Sequence, residues 1–221
     1  VAGQAQCARR PGAALPLCTE FFGVPLTGSA DLIFLLDRSA SMSETASFGD
    51  PSQQPGAPSA STESPSKVPS WKSGPLLPDK LTVAKRELTK VLDHLPDGTR
   101  FAIAFFDEDI TWFAPQLTVL DAQSRSEVHR FVDSIYPRGA TGAVPALEAA
   151  FALRPRRVVV LSDGASNFDG SDAELLELAR AQIKAGVRFD TVSLGSVDAQ
   201  AAQPDTLLSL ARESGGLSQS F

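Results

Sequence analysis

The sequence predicts an α/β fold: a doubly wound, mostly parallel six-stranded sheet with helices on both faces and one antiparallel edge strand. Three observations carry that expectation. Short apolar runs of strand length alternate with segments whose apolar residues recur at helical spacing. Two of the runs, Leu32 to Leu36 and Val158 to Leu161, are apolar at every position, as central parallel strands covered on both faces must be. The 221 residues, 43% of them hydrophobic, are enough for a single unit with a sizeable core, since domains commonly run about 50–250 residues.

Residues 1–30 read as an irregular leader, and residues 31–221 as the domain. The first strand, Leu32 to Leu36, is followed by a Pro- and Ser-rich insertion at 43–78. Asp79 then caps a helix in which Leu81, Ala84, Leu88, Val91, Leu92 and Leu95 share one face, up to the Pro96-Asp97-Gly98 stop. Phe101 to Phe106 is the second strand. The polar turn Asp107-Glu108-Asp109 leads into Ile110 to Phe113, the antiparallel edge strand. Ser124-Arg125-Ser126-Glu127 has capping-box spacing and opens a helix with Val128, Phe131, Val132 and Ile135 on one face, ending before Pro137.

A short helix from Val144 to Phe151 follows, with Pro145 tolerated in its first turn. Val158 to Leu161 is the fourth strand, and Ser171 to Ala185 is a helix closed by Gly186. Val187 to Leu194 is the fifth strand, Pro204 to Glu213 the last helix, and Leu217 to Phe221 a sixth strand.

Charge and composition exclude several classes. A net charge of −6 argues against nucleic acid or anionic membrane as the main partner, because both attract basic patches. No apolar stretch approaches the roughly 20 residues that a membrane helix needs. The only cysteines, Cys7 and Cys18, lie in the leader, and the only histidines, His94 and His129, fall in expected helices. Zinc normally takes four ligands, which the leader lacks. A Cys7–Cys18 disulfide is the favoured reading, with an extracellular, cell-surface or periplasmic location; two free thiols in a reducing compartment are the alternative.

The chemistry concentrates at strand ends. Asp37 closes the first apolar run, and Ser39 and Ser41 stand in the loop after it. Arg138-Gly139-Ala140-Thr141-Gly142 offers a glycine-flanked threonine ahead of a helix, and Asp163 closes the run ending Leu161-Ser162. Carboxylates and hydroxyls are the oxygen donors that hard divalent cations prefer. Two carboxylates brought close repel each other unless a cation neutralises them. Asp107, Glu108 and Asp109 form another acidic group, read as a solvated hairpin tip.

Asp37, Ser39, Ser41, Thr141 and Asp163 together resemble the metal-ion-dependent adhesion site of von Willebrand factor A domains, where D-x-S-x-S, a distant Thr and a distant Asp converge. The resemblance runs from about Asp31 to the C-terminus. It implies a divalent cation, Mg2+ before Mn2+ or Ca2+, and a protein partner that completes the cation's shell with an Asp or Glu. It implies no catalytic turnover.

Two departures from that family stand out. The connection from the D-x-S-x-S loop to the next helix is normally short, whereas residues 43–78 hold seven prolines and many serines, too few apolar groups to offset chain entropy. That composition predicts a loosely ordered loop. The helix that usually follows the last strand is missing or not included here, which speaks against the long-range switching seen in integrin relatives.

The alternative functions are a Mg2+-dependent phosphohydrolase and a non-catalytic scaffold. Haloacid-dehalogenase phosphatases also place an Asp at the end of the first strand, but they carry D-x-D. Here Ser39 stands where the second acid would serve proton transfer.

Overall fold

The computed structural model describes residues 19–26, 28, 31–46, 78–163, 172–195 and 206–221. Cys7, Cys18 and positions 47–77 of the insertion lie outside the described residues, and so do the disulfide and loop expectations attached to them.

The main sheet has seven strands among the described residues, in the order β5-β4-β3-β7-β8-β9, with β6 also paired to β4. These are β3 (Leu32–Asp37), β4 (Arg100–Phe106), β5 (Ile110–Trp112), β6 (Thr118–Val119), β7 (Arg157–Ser162), β8 (Arg188–Ser193) and β9 (Ser218–Ser220). Strands β3, β4, β7, β8 and β9 run parallel, while β5 and β6 pair antiparallel with β4. The α/β architecture thus matches the expectation. The additional strand, Thr118–Val119, is only two residues long, and one of them is exposed, so no alternating pattern marks it in the sequence.

Among the described residues five helices flank the sheet: α1 (Lys80–His94), α2 (Ala122–Ser134), α3 (Ala143–Ala152), α4 (Asp172–Lys184) and α5 (Thr206–Ser214). Strand β3 explains why both faces are covered. Its residues Leu32, Phe34 and Leu36 join a core built with Leu81, Leu88 and Leu92 of α1 and Val128 and Val132 of α2. Ile33 and Leu35 point the other way, into a core with Leu147 of α3, Leu175 of α4 and Leu207 and Leu210 of α5. Side chains alternate across a strand, so an all-apolar run needs helices on both sides.

Two local expectations are corrected. Helix α2 starts one turn before the Ser124-to-Glu127 box: Asp121 is the N-cap, its carboxylate accepts from the Ser124 N–H at 2.7 Å, and the Ser124 hydroxyl accepts from the Asp121 N–H at 2.8 Å. An Asp side chain competes well for that cap, and a serine closes the box where a Glu or Gln is usual.

The second correction concerns the region before Asp31. Strands β1 (Glu20–Phe21) and β2 (Val24–Pro25) form a hairpin around Phe22 (φ 48°) and Gly23 (φ 74°), a turn with two positive φ values of the kind that matches strand twist. Phe21, Val24 and Leu26 are fully buried, and the Phe21 ring meets Phe34 edge-on at 5.5 Å. The boundary expected at Asp31 therefore leaves out residues that belong to the core.

Candidate metal centre

Strand order reverses at β3: the chain passes from β3 to β4 on one side and later returns to β7 on the other. In open α/β sheets the crevice at the carboxyl ends of such strands collects ligands. Asp37 ends β3, and Asp163 follows Ser162, the last residue of β7. The switch point thus carries both acids singled out in the sequence.

Asp37 is fully buried. Its Oδ1 accepts the Ser39 N–H at 2.7 Å, and its Oδ2 accepts the Ser162 hydroxyl at 2.7 Å. Burial pushes the carboxyl up to about 6 against these hydrogen bonds, and the charge of Asp163 adds to the rise. Ser39 precedes and Ser41 lies within a 3-10 turn over Ala40–Ser43, and their hydroxyls lie 3.1 Å apart. Met42, buried beneath the turn, anchors it to the core.

The loop carrying Thr141 is pinned alongside. The Arg138 N–H donates to the Arg38 carbonyl at 2.8 Å, and the Ala40 N–H donates to the Gly139 carbonyl at 3.0 Å. Gly142 approaches so closely that its N–H reaches the Asp107 carbonyl at 2.9 Å, and a Cβ there would come within 2.8 Å of that oxygen. Thr141 itself is half-buried. The loops after β3 and β4 and the Thr141 loop ahead of α3 therefore meet at one edge of the sheet.

Asp107 corrects the reading of a solvated hairpin tip. It is buried, with Oδ2 at 2.9 Å from Arg38 Nε and 2.8 Å from Arg138 Nε, and its Oδ1 accepts the Asp109 N–H at 2.7 Å. Burial alone would raise this carboxyl, but the bond from Arg138, the Asp109 N–H and the two positive charges outweigh it and hold it below the usual range. Asp107 joins the Asp37 loop to the Thr141 loop.

Lys80, in the first turn of α1, is the other residue that sequence reading missed. Its Nζ donates to Asp163 Oδ2 at 3.0 Å and to Glu44 Oε2 at 2.8 Å. The expected repulsion between Asp37 and Asp163 is thus partly answered within the chain. A signal was available: Lys80 is four residues before Ala84 and eight before Leu88, in line with the buried stripe of α1. Likewise Asp107 directly follows an apolar run, as Asp37 does.

The donor set fits a hard cation. Among the described residues no three His, Cys, Asp or Glu side chains cluster as metal ligands, so the candidate set is two carboxylates supplemented by hydroxyls. A buried carboxyl whose ionisation is disfavoured, beside a pair of hydroxyls, offers oxygen atoms of the type that Mg2+ takes while keeping other positions of its shell open.

Comparison with known proteins agrees with this architecture. A family model described as the von Willebrand factor type A domain matches residues 76–220. A von Willebrand factor type A structure from Catenulispora acidiphila is similar at 19% identity and a TM-score of 0.57, over 90% of this chain and 40% of that one. An aerotolerance-related membrane protein from Bacteroides fragilis, with multiple mutations to serines, is 18% identical with a TM-score of 0.54, over 87% of this chain and 92% of that one. The PilB minor pilin from Streptococcus sanguinis is 10% identical with a TM-score of 0.60, over 89% of this chain and 58% of that one. These likenesses show the fold. No curated protein matches the chain.

Proposed function

Because this chain belongs to the von Willebrand factor type A domain family, whose members are generally protein-interaction modules, we propose that it is a metal-dependent binding module that captures an acidic group of a protein partner. The observation that supports this most is the buried Asp37 carboxylate at the switch point of the sheet, with the Ser39 and Ser41 hydroxyls beside it. Asp37, Ser39, Ser41, Thr141 and Asp163 would hold a divalent cation, with Mg2+ favoured and Mn2+ or Ca2+ as substitutes. The cation would supply a positive centre able to attract a carboxylate from outside.

The chain's own groups prepare that role. The Ser39 N–H and the Ser162 hydroxyl fix both oxygens of Asp37, so its carboxylate is oriented before any ligand arrives. Asp107, bridging Arg38 and Arg138, holds the threonine loop against the serine loop. Hydroxyl donors leave the cation less neutralised than carboxylates would, which preserves its pull on a partner's Asp or Glu. The role proposed is binding without turnover.

An extracellular, cell-surface or periplasmic setting accompanies the proposal. It is supported by the Cys7–Cys18 reading, and among structures of similar fold are a membrane protein and a pilin. Among the described residues no helix is long and apolar enough to cross a membrane. Mass spectrometry of alkylated, non-reduced protein should find both thiols blocked; free labelling of both, in protein from an oxidising compartment, would reject the bridge.

The binding function is tested by selecting peptides from a random display library with Mn2+ and again with chelator. Ligands that need the metal, contain an Asp or Glu, and lose binding when that acid is changed to its amide are expected. Ligands indifferent to chelator would refute the proposal.

A further inference from the structure

Lys80 is 6% exposed, a deep position for an ammonium. Its place is fixed by backbone as well as side chain. The Lys80 N–H donates to the Glu44 carbonyl at 2.9 Å, the Ala46 N–H donates to the Pro78 carbonyl at 3.0 Å, and Thr45 bridges Asp79. These bonds clamp the first residues of the insertion to its last residue and to the start of α1. The ammonium is thereby delivered to the rim of the candidate site, not to bulk water.

There it has two carboxylate acceptors of different character. Asp163 is buried to 0% side-chain exposure, whereas the Glu44 side chain is 66% exposed. A lysine head carries three donors on a flexible stem, so it can move between acceptors without moving the helix. A cation approaching Asp163 meets an oxygen that already holds a positive charge at 3.0 Å. Like charges at such range repel, and the ammonium must retreat or share.

We propose that Lys80 is a resident competitor for the Asp163 carboxylate that sets the divalent-cation affinity of the site, and that Glu44 receives the ammonium when Asp163 turns to a cation. The inference rests on reading the five oxygen-bearing residues as a cation site. Lys80 acts through Asp163 and is a positioning residue, not a ligand. Burial pulls its ionisation down, but the hydrogen bonds to Glu44 and Asp163 outweigh burial and keep the head charged.

The test is calorimetric titration of the full chain with Mn2+ in wild type, Lys80→Met, Lys80→Arg, Glu44→Gln and Asp37→Ala, with Lys85→Met as a control for net charge on the same helix. Lys80→Met should bind Mn2+ about tenfold tighter, the order expected when a like charge a few ångströms away is removed from a partly screened site. It should also melt lower without metal and show the larger rise in Tm with it. Lys80→Arg should stay near wild type, Glu44→Gln should bind more weakly because the ammonium loses its second acceptor, and Lys85→Met should change little.

Unchanged or weaker binding in Lys80→Met overturns the inference. Should that variant fail to fold, Glu44→Gln decides: its side chain is exposed, and wild-type affinity there would overturn the competitor. Asp37→Ala separates the two claims. Binding that disappears with Asp37 but ignores Lys80 and Glu44 leaves the cation site and removes the competitor; binding that ignores Asp37 removes the site itself. No binding in any variant overturns both.

Discussion

At the scale of single residues, acids at strand ends do different work according to what faces them. Asp37 is met by a serine N–H and a serine hydroxyl, Asp163 by an ammonium, and Asp107 by two guanidinium groups. Asp107→Asn should therefore be costly: it strands Arg38, whose side chain is 4% exposed, and the loss of one partner from a buried pair costs about 3–5 kcal/mol. Urea unfolding at neutral pH measures it. The Asp107 carboxyl is held low in the folded chain, so its contribution is present above the ordinary carboxylate range and is lost as pH falls through the folded value. The gap between wild type and Asp107→Asn should narrow below about pH 4; a constant gap would show that the ion pair is not its cause. Gly142→Ala should cost about 1–3 kcal/mol, since its Cβ would press on the Asp107 carbonyl, and should weaken Mn2+ binding by shifting Thr141. Unaltered stability and affinity would show that the loop yields freely. Asp37 and Asp163 were legible in the sequence because each ends an apolar run. Their partners were not: Lys80 is 83 positions from Asp163, and Ser162 is 125 from Asp37. Proximity of that kind is made by sheet order, which no local pattern encodes.

Elements show the same division between local and distant causes. The strand and helix periodicities of β3, β4, β7 and α1 were readable because each repeats an apolar spacing over several residues and the observed burial follows it. The β1–β2 hairpin was not. Its strands are two residues each, too short for a period, and only packing against Phe34 and α1 gives them a core role. Phe21→Ala should lower stability by about 3–5 kcal/mol, as for other buried aromatic truncations, with Mn2+ affinity preserved because Phe21 packs on Phe34 inside β3 rather than on a candidate ligand. Thermal unfolding and a titration on the same sample check both halves; a change below about 1 kcal/mol would place Phe21 outside the folding unit. The start of α2 was misplaced for a local reason: Ser124 and Glu127 have the box spacing, yet Asp121 with Ser124 satisfies the same donors one turn earlier. Two overlapping caps cannot be ranked without knowing where β6 ends.

For the whole molecule, the sheet order puts the β3 and β7 ends side by side while helices cover both faces, so the open edge is the place left for a ligand. The α/β class was legible because that alternation runs the length of the chain. The metal, by contrast, is a proposal about that edge, and it makes stability depend on cation concentration, because a ligand that binds only the folded state raises its Tm. Calorimetric titration of wild type and Asp37→Ala with Mg2+ and Mn2+, each paired with a melting curve, tests this most directly. Wild type should bind one cation and melt higher as its concentration rises, while Asp37→Ala, still folded because its loss removes a buried charge at the rim, should lose at least about tenfold in affinity and most of the Tm rise. Equal affinity and equal Tm response in the two proteins would contradict a cation site built on Asp37.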